Sequence, residues 1–495
     1  MSIDYERLSK IAHTIVDIPK HYHLVMEDNT PEGDENVRSF IWADPEESSR
    51  TISVSLDLET GQLMSLDLEK ETLNTAGEIS SVEEARSIAD AFLKRHTPHH
   101  DLLTRVHIEE RQHVRIITYR EEVGGIPLPH TGCRVTIDNE LDVIQYDLEG
   151  NEATSKPVWP ESICEEETVK QQILQEIQMK LTIVTLEPSC HEEAGTKPQY
   201  RLVYEPIPDF RMIDASTGVD LHGMDHYLLP DSRPIAPSIG VDREPIIYSN
   251  TDWLKRLGVD PEYYHLEKSA DDGERIRMRY RRVQAEEDVR RAPDEKSAES
   301  YMKRTYAESF RNLEAAFLIH IEKSTGRIVA FHRKVNQEDA PRLSREQCWE
   351  QAEQFLRQVF PDYHEYLQLE DEQEEMDGEL RDREVFFLPV VIGNTPVKNE
   401  SVLLSVSTSS GKIIAYRGVS YDMLRTIAEH SFQPRITADE AFERYAEHVR
   451  LKLKWYEDTN DNGYRLIYEQ TTTMADGGKQ KLLYIDACSG ATVTT

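Results

Sequence analysis

One short phrase returns along this chain and limits what the chain can become. Leu56-Asp57-Leu58-Glu59-Thr60-Gly61 is echoed by Ile213-Asp214-Ala215-Ser216-Thr217-Gly218, Ile321-Glu322-Lys323-Ser324-Thr325-Gly326, Val406-Ser407-Thr408-Ser409-Ser410-Gly411 and Ile485-Asp486-Ala487-Cys488-Ser489-Gly490. A degenerate copy, Ile137-Asp138-Asn139-Glu140-Leu141-Asp142, lacks the Thr-Gly ending. In each phrase an apolar residue ends a strand, a polar cluster opens a turn, and glycine supplies a positive φ at no steric cost. Alternating segments such as Gln62-Leu63-Met64-Ser65-Leu66 follow. The six phrases therefore predict six antiparallel hairpins.

The phrases end near positions 61, 142 and 218, then 326, 411 and 490, so the chain is a tandem duplication. The duplication reaches beyond the turns. Ser81-Val82-Glu83-Glu84-Ala85 matches Ser344-Arg345-Glu346-Gln347-Cys348, offset by 263 residues. Both read as helix starts, with a Ser N-cap and acid in the first turn. Gly124-Gly125-Ile126-Pro127-Leu128 matches Gly393-Asn394-Thr395-Pro396-Val397, and Tyr200–Glu205 matches Tyr464–Glu469. The expected organisation is a first half over 1–225, a Pro-rich linker over 226–250, and a second half over 251–495. A charged, solvated insertion near 283–311 is expected in the second half. The fold class this predicts is α+β, each half holding three units of a helix packed on a small antiparallel sheet.

A helix opening Ser-x-Glu-Glu-Ala, then strands, then Ile-Asp-Ala-x-Thr-Gly, resembles the PepSY module. PepSY modules occur in propeptides of thermolysin-type metalloproteases and in the spore germination protein YpeB. The two-half layout, with Gly-Ile-Pro-Leu-Pro ahead of a hairpin, resembles the YcdB/YcdC repeat proteins of Bacillus-like bacteria more closely. The resemblance implies a non-catalytic protein, a binding or regulatory scaffold with a protein or peptide partner. It leaves open a peptidase inhibitor or chaperone-like protein. A hydrolase with a site between the halves is the enzymatic alternative.

Composition narrows the function classes. With 92 acidic against 57 basic residues the net charge is −35, which opposes binding to nucleic acid or to an anionic membrane surface. No stretch has the length and apolarity of a membrane span. The N-terminal residues lack a basic segment followed by an apolar run, and the five cysteines lie far apart, so a reducing cytoplasm is the expected location. There is no phosphate loop, dinucleotide fingerprint or nucleophile elbow, so neither a cofactor nor a catalytic residue is expected.

Three features invite a sharper reading. Asp458-Thr459-Asn460-Asp461-Asn462-Gly463, followed at the twelfth position by Glu469, fits an EF-hand calcium loop. An Asp/Asn-rich turn between strands is the plainer reading, and no metal site is assigned. Histidines gather at His21/His23, His96/His99/His100 and His191, with packing or surface roles favoured over zinc. Finally, Arg275-Ile276-Arg277-Met278-Arg279-Tyr280-Arg281-Arg282 alternates as a strand. Arg275, Arg277, Arg279 and Arg281 then share one face. They either neutralise neighbouring carboxylates, the favoured reading, or dock an acidic partner.

Overall fold

The computed structural model describes residues 5–29, 36–47, 49–69, 81–111, 113–149, 156–186, 198–223, 226–227, 230–236, 246–248, 253–282, 296–306, 317–334, 343–370, 381–458, 463–472 and 481–494. The chain opens with α1 (Tyr5–Ile15) and four strands, β1 (His23–Asn29), β2 (Val37–Ala43), β3 (Thr51–Asp57) and β4 (Leu63–Leu68). Then come α2 (Val82–His96), β5 (Arg105–Glu110), β6 (Val114–Arg120), β7 (Glu122–Val123), β8 (Ile126–Pro127), β9 (Cys133–Asp138) and β10 (Val143–Leu148). A third segment supplies α3 (Glu166–Glu176), β11 (Gln178–Leu186), β12 (Gln199–Ile207) and β13 (Met212–Asp214).

The remainder repeats this order. It begins with β14 (Ser232–Pro234), α4 (Trp253–Arg256), β15 (Tyr264–Asp271), β16 (Arg275–Arg282), α5 (Ala298–Thr305), β17 (Phe317–Glu322) and β18 (Ile328–Arg333). It continues through α6 (Arg345–Val359), α7 (Tyr363–Tyr366), β19 (Gln368–Glu370), β20 (Arg383–Ile392), β21 (Thr395–Ser407) and β22 (Ile413–Arg417). It closes with α8 (Tyr421–Glu429), α9 (Ala438–Ala446), β23 (Val449–Asp458), β24 (Gly463–Thr472), β25 (Leu482–Asp486) and β26 (Thr492–Thr494).

All six phrases are tight turns. Asp57 Oδ1 accepts the N–H groups of Glu59 and Thr60 and the Thr60 hydroxyl, at 3.1, 2.7 and 2.7 Å. Asp214 and Asp486 repeat the pattern with Thr217 and Ser489. Gly61, Gly218, Gly326, Gly411 and Gly490 all have φ between 67° and 76°. The degenerate copy is one residue shorter: Asp138 N–H bonds Asp142 O, where Asp57 N–H reaches Gln62 O, five residues on. Leu141 takes the left-handed position there, with φ 68°.

The helices also match the reading. Ser81 with Glu84 and Ser344 with Gln347 form reciprocal capping boxes. Ala85, Ala89 and Leu93 bury one stripe of α2; Cys348, Ala352 and Leu356 bury the equivalent stripe of α6.

The expected helix-on-small-sheet units do not form. The hairpins merge into large antiparallel sheets, and strand dominates over helix. In the first half β4 pairs with β10, Leu66 opposite Tyr146, fusing two units into an eight-stranded sheet of order β1-β2-β3-β4-β10-β9-β6-β5. The second half repeats the fusion, with β18 on β22 and Phe331 opposite Tyr416. Its strands run β15-β16-β17-β18-β22-β21 and extend through β11-β12-β25-β26 into an 11-stranded sheet, with β20 on β21. The physical reason is that a lone hairpin is marginal and exposes two hydrogen-bonding edges, which joining edges satisfies.

The third units exchange their ends. β12 does not pair with its own turn hairpin; it pairs with β25, Tyr204 opposite Ile485 and Val203 opposite Asp486. Reciprocally β24 pairs with β13, Tyr468 opposite Ile213 and Ile467 opposite Asp214. These are the same pairs under the sequence repeat, with the copies swapped. Their hydrogen bonds are swapped too. Ala215 N–H donates to Leu466 O and Ala487 N–H to Leu202 O, at 2.8 and 2.9 Å. The Tyr468 hydroxyl donates to Cys164 O and the Tyr204 hydroxyl to Ile436 O, at 2.9 and 3.0 Å.

Among the described residues two large hydrophobic cores result, with a small third cluster of Val184, Leu186, Val203 and Val493. One lies under the first sheet, from Leu8 to Tyr146. The other joins Val169, Ile173, Leu202 and Ile213 to side chains as distant as Ile485. Among the described residues no helix is long and apolar enough to cross a membrane.

Candidate functional site: sheet edges and a cationic groove

An antiparallel sheet ends in strands whose outer backbone groups need partners. The eight-stranded sheet ends at β1 and β5; in the second half β15 is one end, and at the other the ribbon β14–β19 adjoins β20 through the bridge Leu367–Val390. The chain itself covers β1 and β19. Edge β1 is covered by the segment leading into α5. Glu27 N–H bonds Lys296 O at 2.8 Å, Ala298 N–H bonds Asp28 Oδ2 at 2.8 Å, and Arg304 bonds Val25 O at 3.1 Å. The insertion expected to be solvated therefore docks over 296–306; its residues 283–295 and 307–311 lie outside the described residues. Edge β19 is covered by linker strand β14, with Ser232 opposite Glu370, Arg233 opposite Leu369 and Pro234 opposite Gln368. Edges β5 and β15 have no second strand partner among the described residues.

The arginine stripe lies on β16, next to open edge β15. Arg275, Arg277, Arg279 and Arg281 alternate with Ile276, Met278 and Tyr280. Arg279 is buried and meets Glu267 at 2.9 Å, and Arg281 reaches the same carboxylate at 3.2 Å. Arg277 pairs with Asp272 at 2.8 Å. Glu267 sits on β15, so the edge strand brings its own carboxylate to the stripe. Arg275 is exposed at the start of β16. Burial, with Arg277 and Arg275 close by, pushes the His320 imidazole below its ordinary pKa, which keeps it neutral.

A second cationic surface gave no single-segment signal in the sequence, because its residues come from four strands. The solvent face of β5, β6 and β9, closed by β23, forms a groove of about 490 Å³. Arg105 and His107 alternate on β5 and stand directly opposite Arg120 and Thr118 of β6. Arg134 of β9 and Lys452 of β23 also line the groove, as do Arg111 and, among the described residues, the one carboxylate of the lining, Glu109, which meet each other at 2.9 Å. Glu149 binds Arg120 at 2.6 Å and Arg134 at 3.3 Å, one carboxylate for two guanidiniums. Arg120 Nη1 is buried without a hydrogen-bond partner among the described residues. Like charges directly opposite across a ladder are unfavourable, so this face is suited to an incoming anion.

The groove is closed by the hairpin β7–β8, which carries Gly124-Gly125-Ile126-Pro127. That hairpin docks inside the molecule: the Trp455 indole N–H donates to Val123 O at 3.1 Å, and Trp159 packs over Gly124. Its second-half counterpart docks on β11, with Ile183 in register with Val397 and Thr182 bonded to Pro396 O at 3.1 Å.

The calcium pattern does not converge. Residues 459–462 lie outside the described residues. Asp458 pairs in register with Gly463 and Lys452 with Glu469, so the first and twelfth positions sit six ladder steps apart, about 20 Å at ~3.4 Å per residue. Asp458 meets Arg465 at 3.0 Å, and Glu469 binds Lys454. A carboxylate trio does form at the degenerate turn, where oxygens of Asp138, Glu140 and Asp142 lie within 4.8 Å of one another. Asp138 Oδ1 there accepts the N–H groups of Glu140 and Asp142, which is turn capping. His21 faces Asp44 at 3.7 Å, and His191 lies outside the described residues.

Comparison with known proteins adds three findings. A family model described as "YcdB, YcdC repeated domain" matches twice, over residues 5–150 and 261–420. A Bacillus subtilis (strain 168) protein named "Uncharacterized protein YcdC" is 24% identical over 485 residues, covering 94% of this chain and 96% of its own. Among solved structures, the Bacillus megaterium YpeB C-terminal domain aligns with 44% of this chain and 95% of its own, at 12% identity and a TM-score of 0.28.

Proposed function

Since the chain belongs to the YcdB/YcdC repeated-domain family, whose two copies build two equivalent sheets here, we propose that it is a non-catalytic binding scaffold. It receives an extended segment of a protein partner along an open sheet edge. One observation carries this reading: linker strand β14 already occupies edge β19 in this manner, while the equivalent edge β5 has no such partner among the described residues. Strand addition takes its affinity from main-chain hydrogen bonds and its selectivity from alternate side chains, so a protein of this kind needs no reactive group.

Display of a random peptide library against the purified full-length chain tests the reading. The expected outcome is enrichment of extended peptides whose binding is lost on backbone N-methylation at alternate positions. A library yielding no binder sensitive to backbone N-methylation overturns it.

A further inference from the structure

We propose that edge β5, with the cationic face beside it, is the occupied edge, and that its ligand is an acidic extended peptide. This inference rests on the strand-addition reading and adds the edge and the partner's chemistry.

The repeat supplies the geometry. The helix offset that maps Ser81 onto Ser344 maps Arg105-Val106-His107 of β5 onto Gln368-Leu369-Glu370 of β19. In the second half those three residues are the ones paired by Pro234, Arg233 and Ser232. A peptide at β5 then pairs antiparallel across Arg105, Val106 and His107, in the place of β14. The character of the strand has changed between the copies. β19 offers Gln368 and Glu370 where β5 offers Arg105 and His107. A partner that suits one is repelled by the other.

The surroundings of β5 reinforce its sign. Alternate side chains of an added strand project over the same face as Arg105 and His107. Arg120 lies directly across from Arg105, and Arg134 lies directly across from Thr118 on the next strand. Lys452 reaches the groove from the far side, on a strand held there by the Trp455–Val123 bond. Glu149 is the carboxylate these arginines share, and Arg120 Nη1 still has no partner among the described residues. Carboxylates of a peptide in the groove complete this set by charge-assisted hydrogen bonds. At edge β15 the equivalent demand is met internally, because Glu267 binds Arg279 and Arg281.

The protein's overall charge shapes the expected kinetics. A chain of net charge −35 repels an acidic peptide at long range, and only the groove attracts it at short range. Binding is therefore not steered from a distance, and added salt acts mostly by screening the contacts in the groove.

The test uses the full-length chain and fluorescein-labelled short peptides of alternating Glu and Val, with alternating Lys and Val as control. Anisotropy is expected to show binding of the Glu peptide alone. The double reversal Arg105→Glu with Lys452→Glu is expected to weaken it by about tenfold or more and to admit the Lys peptide. Arg105 is exposed, and Arg105→Gln serves as a milder variant should the reversal disturb folding, as checked by circular dichroism. Of two peptides N-methylated at odd or even positions, one is expected to lose binding. Three results overturn the proposal: no binding of the Glu peptide, binding unchanged by both variants, or binding unchanged by either methylation pattern. If library peptides bind through their backbones but ignore Arg105, the scaffold reading stands and this assignment fails.

Discussion

The exchange of hairpins between the third units makes a prediction that no ordinary tandem repeat would make. Ile485 is fully buried on β25 and pairs with Tyr204 of β12, far upstream in sequence. Ile485→Ala removes a buried branched side chain, at a cost of about 3 kcal/mol within the usual 2–5 kcal/mol range for such truncations. If the loss falls on local opening of β25 from its neighbour, amide exchange there accelerates by roughly 150-fold, since each ~1.36 kcal/mol is a factor of ten. Hydrogen–deuterium exchange with mass spectrometry should show this acceleration in residues 199–207. Residues 463–472, the hairpin next to Ile485 in sequence, should stay protected. The reciprocal substitution Ile213→Ala should deprotect 463–472 and spare 199–207, because Ile213 is equally buried and pairs with Tyr468. Deprotection of the sequence-adjacent hairpin in either variant would refute the exchange.

Three further outcomes follow from the geometry. Millimolar calcium should leave the melting temperature unchanged and release no heat in calorimetry, because Asp458 and Glu469 stand far apart along one ladder and each faces a cation. Gly490→Ala should cost more than Gly125→Ala in urea unfolding. Both positions have positive φ, worth about 1–2 kcal/mol to a side chain, but a Cβ at 490 also meets the Arg444 guanidinium while 125 faces open space. Asp67→Asn should raise the melting temperature at neutral pH. Burial first, then the charges of Glu69 and Asp147, hold the Asp67 carboxyl above its ordinary pKa. The folded state thus favours the proton, and this contribution is fully present only in acid and is lost as pH rises through the raised value. The gain from Asn should shrink on titration toward about pH 4, near the ordinary Asp pKa.

What the sequence disclosed was local. The six turns were legible because Asp57, Asp214 and Asp486 fold their own backbones with short-range hydrogen bonds, which need nothing from the rest of the chain. The helix starts at Ser81 and Ser344 were legible for the same reason. The fusion of units into large sheets was not, because edge pairing such as Leu66 with Tyr146 joins strands with no shared pattern beyond alternation. The exchange was hidden by the duplication itself. Ile213 and Ile485 are repeat copies, so either fits opposite Tyr204, and a repeat pattern cannot say which one does. The arginines of β16 were plain in the sequence, but the partner of Arg279 and Arg281 sits on the adjacent strand at Glu267. The β5 groove draws one or two cations from each of four strands, which no linear motif collects.

The interlocked third units also bear on how this protein is made. Tyr204 leaves the ribosome 282 residues before Asp486, the last residue of the strand it must pair with. At roughly 5–20 residues per second this is a wait of about 14–56 s. Through that interval β11 and β12 exist as a nascent hairpin with an open edge and an unfilled apolar side. The strands of the first sheet all lie before residue 149 and can pair early, while its edge β1 waits for the segment 296–304 to cover it. Synthesis thus yields a paired N-terminal sheet well ahead of β25, the strand that locks β12 in place.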